Sequence, residues 1–223
     1  MRCEGLVQIS INAQDVPQIL DDLTSEIVRN KDYLTELDSL VGDGDHGVNL
    51  ERGFLKVRDQ LPGLRGMSDI GSVLSAAGAT LLSTVGGATG SLYGASLMKI
   101  GSVCRGKSEI KVQDLPEIFT VWSRTVMELG GAKAGDKTML DVLLPATEAI
   151  SQAARESGDL VYVLNKGTEA AREGLESTKS MVAKKGRASY LGDRTLGHYD
   201  AGAASLCLML ESCAKTVDNL KSH

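Results

Sequence analysis

The sequence predicts an all-α protein, on three observations. Apolar residues recur at three- and four-residue spacing through nearly the whole chain, alternating stretches of strand type are almost absent, and helix-start residues precede several of the apolar stripes. About eight helices result, joined at junctions where glycine concentrates.

Taken in order, the first helix is carried by Val16, Ile19, Leu20, Leu23 and Ile27, which form one apolar stripe. A second is expected over 47–61. The third, with Ile70, Val73, Leu74, Ala77 and Leu81, is announced by Ser68 and Asp69, whose side chains can accept first-turn amides. A fourth covers 90–104. The fifth carries Leu115, Ile118, Phe119, Trp122, Val126 and Leu129 and starts at Asp114, two residues before Pro116. Thr138 with Asp141 opens the sixth, over 138–156. Residues 161–163, Val-Tyr-Val, are the best strand candidate, but they run on into Asn165, Lys166, Glu169 and Ala170 at helical spacing, so 160–181 is read as the seventh. Asp200 starts the eighth, over 200–219. The four prolines, Pro17, Pro62, Pro116 and Pro145, fall mostly near expected helix ends, and no repeat or low-complexity linker divides the chain. A single domain over 1–223 is the expectation.

Composition removes several function classes. The net charge of −5, the pI near 5.3 and the lack of any lysine or arginine run argue against a nucleic-acid partner. No apolar run reaches the ~18 residues of a membrane span, and MRCEGLVQIS lacks a signal peptide's apolar centre, so neither a membrane nor an exported protein is expected. Cys3, Cys104, Cys207 and Cys213 form no CxxC pair, and three of them lie in apolar helical contexts. A reducing, cytoplasmic compartment follows.

Glycine supplies 25 of 223 residues, above the ~7% of an average chain, and gathers at 42–47, 86–94, 130–135 and 186–202. In the first junction Asp43 and Asp45 flank one glycine and Asp38 lies five residues before Asp43, near the end of a helix. A loop folding back would converge three carboxylates, a donor set suited to a hard ion such as Mg²⁺ that takes its remaining oxygens from water and phosphate. An EF-hand is excluded, because its third ligand position would be Gly47 and its twelfth Phe54. Helix capping and plain turns are the structural alternative. The second junction, STVGGATGSLYG, can turn amides toward an anion at a helix start, or can serve close helix crossings. The third, ELGGAKAGDKTMLD, is no P-loop, since Asp136 separates Gly135 from Lys137-Thr138. In the fourth, Arg187 can fork onto phosphate oxygens and Asp200-Ala201-Gly202 stand at a helix start, with solvated loop and helix cap as the alternative. Among the histidines only His46 lies inside a candidate site; His198 can bridge helices and His223 is terminal. No local pattern supports a catalytic triad.

Taken together, LDSLVGDGDHGVNLERGF, GGATGSLYG, GDKTMLDVLLPA and GRASYLGDRTLGHYDAGAAS, in this order and spacing, resemble the ADP-binding L subunits of phosphotransferase-dependent dihydroxyacetone kinases across nearly the whole chain. The resemblance implies an eight-helix antiparallel up-and-down barrel with a nucleotide site in the loops at one end. It implies that Asp38, Asp43 and Asp45 hold two Mg²⁺ ions bridging the phosphates of ADP or ATP. His46, Gly47, Val48, Asn49, Ala88, Thr89, Gly130, Met139, Arg187, Asp200, Ala201 and Gly202 would then line the nucleotide, with Gly131 fitting the pattern nearly as well as Gly130. It further implies two partners: a K subunit that holds dihydroxyacetone covalently on one of its own histidines, and a donor subunit that passes phosphate from the sugar phosphotransferase system. ADP would be a retained cofactor, phosphorylated to ATP and returned in place. Two alternatives stay open, an ATP-using kinase subunit for another ketose or polyol and a non-enzymatic nucleotide-state module. Oligomeric state is open as well, a homodimer included.

Overall fold

The computed structural model describes residues 10–221, so Cys3 and His223 lie outside the described residues. Nine α-helices occur among them: α1 Val16–Arg29, α2 Lys31–Val41, α3 His46–Leu64, α4 Ile70–Thr84, α5 Gly87–Val103, α6 Leu115–Gly130, α7 Leu140–Glu156, α8 Leu160–Ser177 and α9 Ala201–Lys221. Short 3-10 segments lie at Val112–Asp114, Thr178–Ser180 and Arg187–Thr195, and a two-residue antiparallel pair joins β1, Ile11–Asn12, to β2, Glu109–Ile110. The expected strand candidate at 161–163 is helical, inside α8.

Eight of the helices close a ring. Each of α3 to α8 packs on the next, α9 returns to α1, and α1 packs on α3. Polar contacts between helices show the neighbours running antiparallel. Thr216 Oγ1 donates to Asp22 Oδ2 at 2.9 Å while Lys221, further along α9, reaches back to Asp15 at 3.4 Å. Thr24 Oγ1 donates to Phe54 O at 3.4 Å, and Arg58, further along α3, reaches back to Asp21 at 2.6 Å. Between α4 and α5 glycine sets the spacing: a Cβ on Gly78 would lie 2.6 Å from Gly94 O, and one on Gly101 would lie 2.7 Å from Gly71 O. Only residues without a side chain permit backbones this close.

The ninth helix, α2, corrects the expected count. Its eleven residues bury Leu34, Leu37 and Val41, a stripe too short to stand out in the sequence, and only Asn30 separates it from α1. There the Asn30 side-chain amide donates to Glu26 O at 2.9 Å, ending α1. The α2 helix packs on α3, α9 and the 187–195 segment. Pro17 and Pro116 occupy first turns and Pro62 the last turn of α3, whereas Pro145 lies inside α7.

Apolar side chains fill the ring in one continuous core. The interior retains a cavity of about 180 Å³ walled almost wholly by apolar groups such as Phe54, Leu74, Ile118 and Met209. Charged chemistry therefore has to sit in the loops. No helix among the described residues is long and apolar enough to cross a membrane, and Cys104, Cys207 and Cys213 are free thiols.

Candidate functional site

The aspartate loop is built by three local constraints. The Gly42 amide closes on Asp38 O at 2.5 Å, ending α2, and a Cβ at Gly42 would overlap the Asp38 carboxylate. Gly44 has φ +71°, a conformation that L side chains rarely adopt, and reverses the chain into Asp45, the N-cap of α3. One carboxylate oxygen from each of Asp38, Asp43 and Asp45 consequently falls within 4.8 Å of the others. The capping alternative also holds in part. Asp38 Oδ2 accepts the amides of Asp45 at 2.9 Å and His46 at 3.2 Å, so one oxygen caps α3 and the other remains for a cation. Arg187 Nε donates to Asp43 Oδ2 at 3.1 Å, with the arginine side chain largely exposed and the aspartate about a third exposed. Clustered hard oxygen donors fit Mg²⁺ better than a soft or redox metal.

All four glycine junctions meet at one cavity of about 330 Å³. Its wall includes Asp38, Asp43, Asp45, His46 and Asn49 from the first junction and Ala88 and Thr89 from the second. Gly130 and Met139 join it from the third, and Arg187, Asp200, Ala201 and Gly202 from the fourth. Two expected residues are off the wall. Gly47 faces α2, where a Cβ would run into Lys31 O and Thr35 Oγ1, and the Val48 side chain is 46% exposed. Only their first-turn amides are left to face the cavity.

The second junction divides between its two readings. A Cβ at Gly90 would strike Val85 O and one at Gly94 would strike α4, so these are packing glycines. Gly86 and Gly87 have open space around the Cβ position and line the cavity, with Gly87 at φ +68° at the start of α5. In the third junction Gly131, at φ +54°, ends α6 and leaves Gly130 on the wall. That junction carries no P-loop, yet Lys137 and Thr138 also line the cavity.

His46 is 8% exposed, and its ring is held on both sides: Nε2 lies 2.8 Å from Ser205 Oγ and Nδ1 lies 3.3 Å from Thr89 Oγ1. Burial lowers its pKa, so the imidazole is neutral at pH 7 and serves to join α3, α5 and α9. Ser205 Oγ is also 2.8 Å from Tyr93 Oη, and Tyr93 lines both the apolar interior and the polar cavity. Asp200 Oδ2 accepts the Ala203 amide at 2.7 Å, capping α9, while desolvation raises its pKa to about 6. Sequence reasoning missed Tyr93, Lys137, Lys185 and Ser205. The first three sit within or beside the glycine junctions; the side chains that Ser205 meets, His46 and Tyr93, are more than a hundred residues away in sequence.

A family model described as the DAK2 domain matches residues 40–215. The PEP-dependent dihydroxyacetone kinase, ADP-binding subunit DhaL, of Escherichia coli is 39% identical over 183 residues, which cover 82% of this chain and 87% of the relative. PEP-dependent dihydroxyacetone kinase 2, ADP-binding subunit DhaL, of Listeria innocua is 40% identical over 204 residues, 91% of this chain and 93% of the relative. Among solved structures, the native dihydroxyacetone kinase of C. freundii superposes with a TM-score of 0.69 at 22% identity, over 96% of this chain and 37% of that one. The chain thus spans little more than a third of that kinase, and the likeness shows the fold.

Proposed function

The chain belongs to the DAK2-domain family, and on that premise we propose that it is the nucleotide-binding phosphoryl-transfer subunit of a phosphotransferase-dependent dihydroxyacetone kinase. The observation that carries the reading is the convergence of four glycine junctions and three carboxylates on one polar cavity. The cavity would hold ADP, which would accept a phosphoryl group from a phosphotransferase-linked donor subunit and, as ATP, would supply it to dihydroxyacetone on a separate K subunit. The whole chain acts as one nucleotide-binding domain, in the cytoplasm, where its free thiols stay reduced.

Phosphoryl transfer needs charge neutralisation and in-line positioning more than covalent chemistry. Asp38, Asp43 and Asp45 would provide carboxylate oxygens for the proposed two Mg²⁺ ions, which would supply charge neutralisation of the phosphates. The open start of α5 at Gly86–Thr89 presents backbone to the phosphates, where Gly87 leaves room for close approach. Arg187 exchanges Asp43 for a phosphate oxygen, a shift that its exposed position permits. No side chain of this chain forms a bond to the phosphoryl group, and the proton that the dihydroxyacetone hydroxyl loses on transfer leaves on the side of the K subunit that holds the substrate, so this chain acts as a template.

The test loads the chain with radiolabelled ADP and adds K subunit, dihydroxyacetone and a phosphotransferase-derived phosphoryl donor in excess unlabelled ADP. Label is expected to stay with the protein through many turnovers while product accumulates. Label lost within about one turnover, or full multiple-turnover activity on ATP alone, would replace this mechanism with that of an ATP-using kinase subunit.

A further inference from the structure

Lys137 is buried in an unusual way. Its side chain is 1% exposed, and it is the one non-glycine residue with positive φ (59°) among the described residues. The ammonium donates to Thr178 O at 2.6 Å, Thr195 O at 2.8 Å and His198 O at 2.6 Å. An ammonium has three protons, so none remains for a ligand. Burial lowers its pKa, and the carboxylate that acts against this shift, Asp200, does so through space without a direct ion pair. A buried cation with no direct ion pair and a left-handed backbone at a residue with a side chain are each unfavourable. They persist where something over-determines them.

The three carbonyls lie near the two ends of one strap, residues 178–198, which carries Arg187 and leads into Asp200. The strap is closed on itself, with the Gly197 amide donating to Lys179 O at 2.7 Å and the Ala183 amide to Thr195 Oγ1 at 3.0 Å. It is tied to the 133–138 turn by the Lys184 amide, which donates to Asp136 O at 3.0 Å. Lys137 thus joins the turn that leads to Met139 with the strap that brings Arg187 and Asp200 to the same cavity.

We propose that Lys137 is a positioning residue, which through its three carbonyl bonds holds the 178–198 strap over the nucleotide cavity and slows nucleotide release while donating no hydrogen bond to the nucleotide. The inference rests on the nucleotide-binding reading. It separates Lys137 from the lysine of a phosphate-binding loop, which keeps protons free for phosphate.

The test compares wild-type, Lys137→Met and Lys137→Gln chains, loaded with ADP and Mg²⁺, well below their melting temperatures. ADP dissociation is expected to accelerate at least tenfold in the methionine variant and less in the glutamine variant, which keeps a donor. Amide exchange should speed up over 178–200 while α4 and α5 stay protected. Lower melting temperature with unchanged ADP dissociation would mean a merely structural lysine and overturn the proposal. Wild-type protein decides the matter even if the variants fail to fold. Amides of the 133–138 turn and of the strap should exchange as one unit, and independent exchange of the two refutes the tie. A wild-type chain that binds no ADP would instead sink the nucleotide reading itself.

Discussion

At the scale of single residues, the three aspartates differ in what else they do. Asp38 caps α3 through two amides, whereas Asp43 meets only the exposed guanidinium of Arg187. Asp38→Ala and Asp43→Ala should both lose bound ADP and Mg²⁺. Only Asp38→Ala should also destabilise the metal-free chain, by about 1 kcal/mol, the usual worth of a helix cap. Asp43→Ala should stay within about 0.5 kcal/mol, since an exposed pair contributes little. Nucleotide and metal content beside chemical denaturation in EDTA checks both, and an Asp43→Ala chain that keeps stoichiometric ADP and Mg²⁺ removes the metal assignment.

Two buried titrating groups set opposing pH dependences on the nucleotide-free chain. The Asp200 pKa rises from 3.8 unfolded to about 6 folded, so the folded state binds more protons between these values and this group adds stability as pH falls from about 6 to 4. The His46 pKa falls below 6.5 on folding, so the unfolded state binds its proton first and stability drops as pH falls below 6.5. Replacing Asp200 with asparagine preserves an α9 cap and removes the first effect alone. Melting temperature should then fall more steeply with acidification below pH 6 than in wild type, and parallel curves would show that Asp200 is not desolvated.

At the scale of elements, glycines alike in the sequence divide by duty. Gly78→Ala forces a Cβ against Gly94 O and Met98 of α5, and overpacking of this kind typically costs about 1–3 kcal/mol. Gly87→Val meets no neighbour but is strained by its φ of +68° and intrudes on the cavity wall. Both substitutions should therefore lower the stability of nucleotide-free protein, by overpacking at Gly78 and by backbone strain at Gly87, and ADP titration should single out Gly87→Val. Equal ADP affinity in Gly87→Val and wild type would return the second junction to a purely structural role. The helices themselves were mostly legible as stripes, because a helix with one buried face repeats its apolar residues every three or four positions. The α2 helix was not, since eleven residues with three buried ones show barely one repeat.

At the scale of the whole molecule, the ring has one continuous core and its last helix closes on its first, through Thr216 to Asp22 and Lys221 to Asp15. A single unfolding transition is expected, with ADP and Mg²⁺ at one hundred times Kd adding about 2.7 kcal/mol and EDTA withdrawing it. Two calorimetric transitions would contradict the single core. What the sequence by itself determined is whatever depends on near neighbours along the chain: helical periodicity, the turn of Gly42 to Asp45 that gathers three carboxylates, and the glycine junctions as places where backbone can approach a ligand. Val48, which follows the aspartate loop closely yet turns to solvent, marks the limit of that reading. Only the tertiary structure decided that His46 is held between Thr89 and Ser205, that Arg187 reaches Asp43, and that Lys137 spends its protons on three distant carbonyls. These pairings depend on which helix ends meet when the ring closes, and ring closure is driven by burial of apolar faces that carry no record of the polar contacts they bring together.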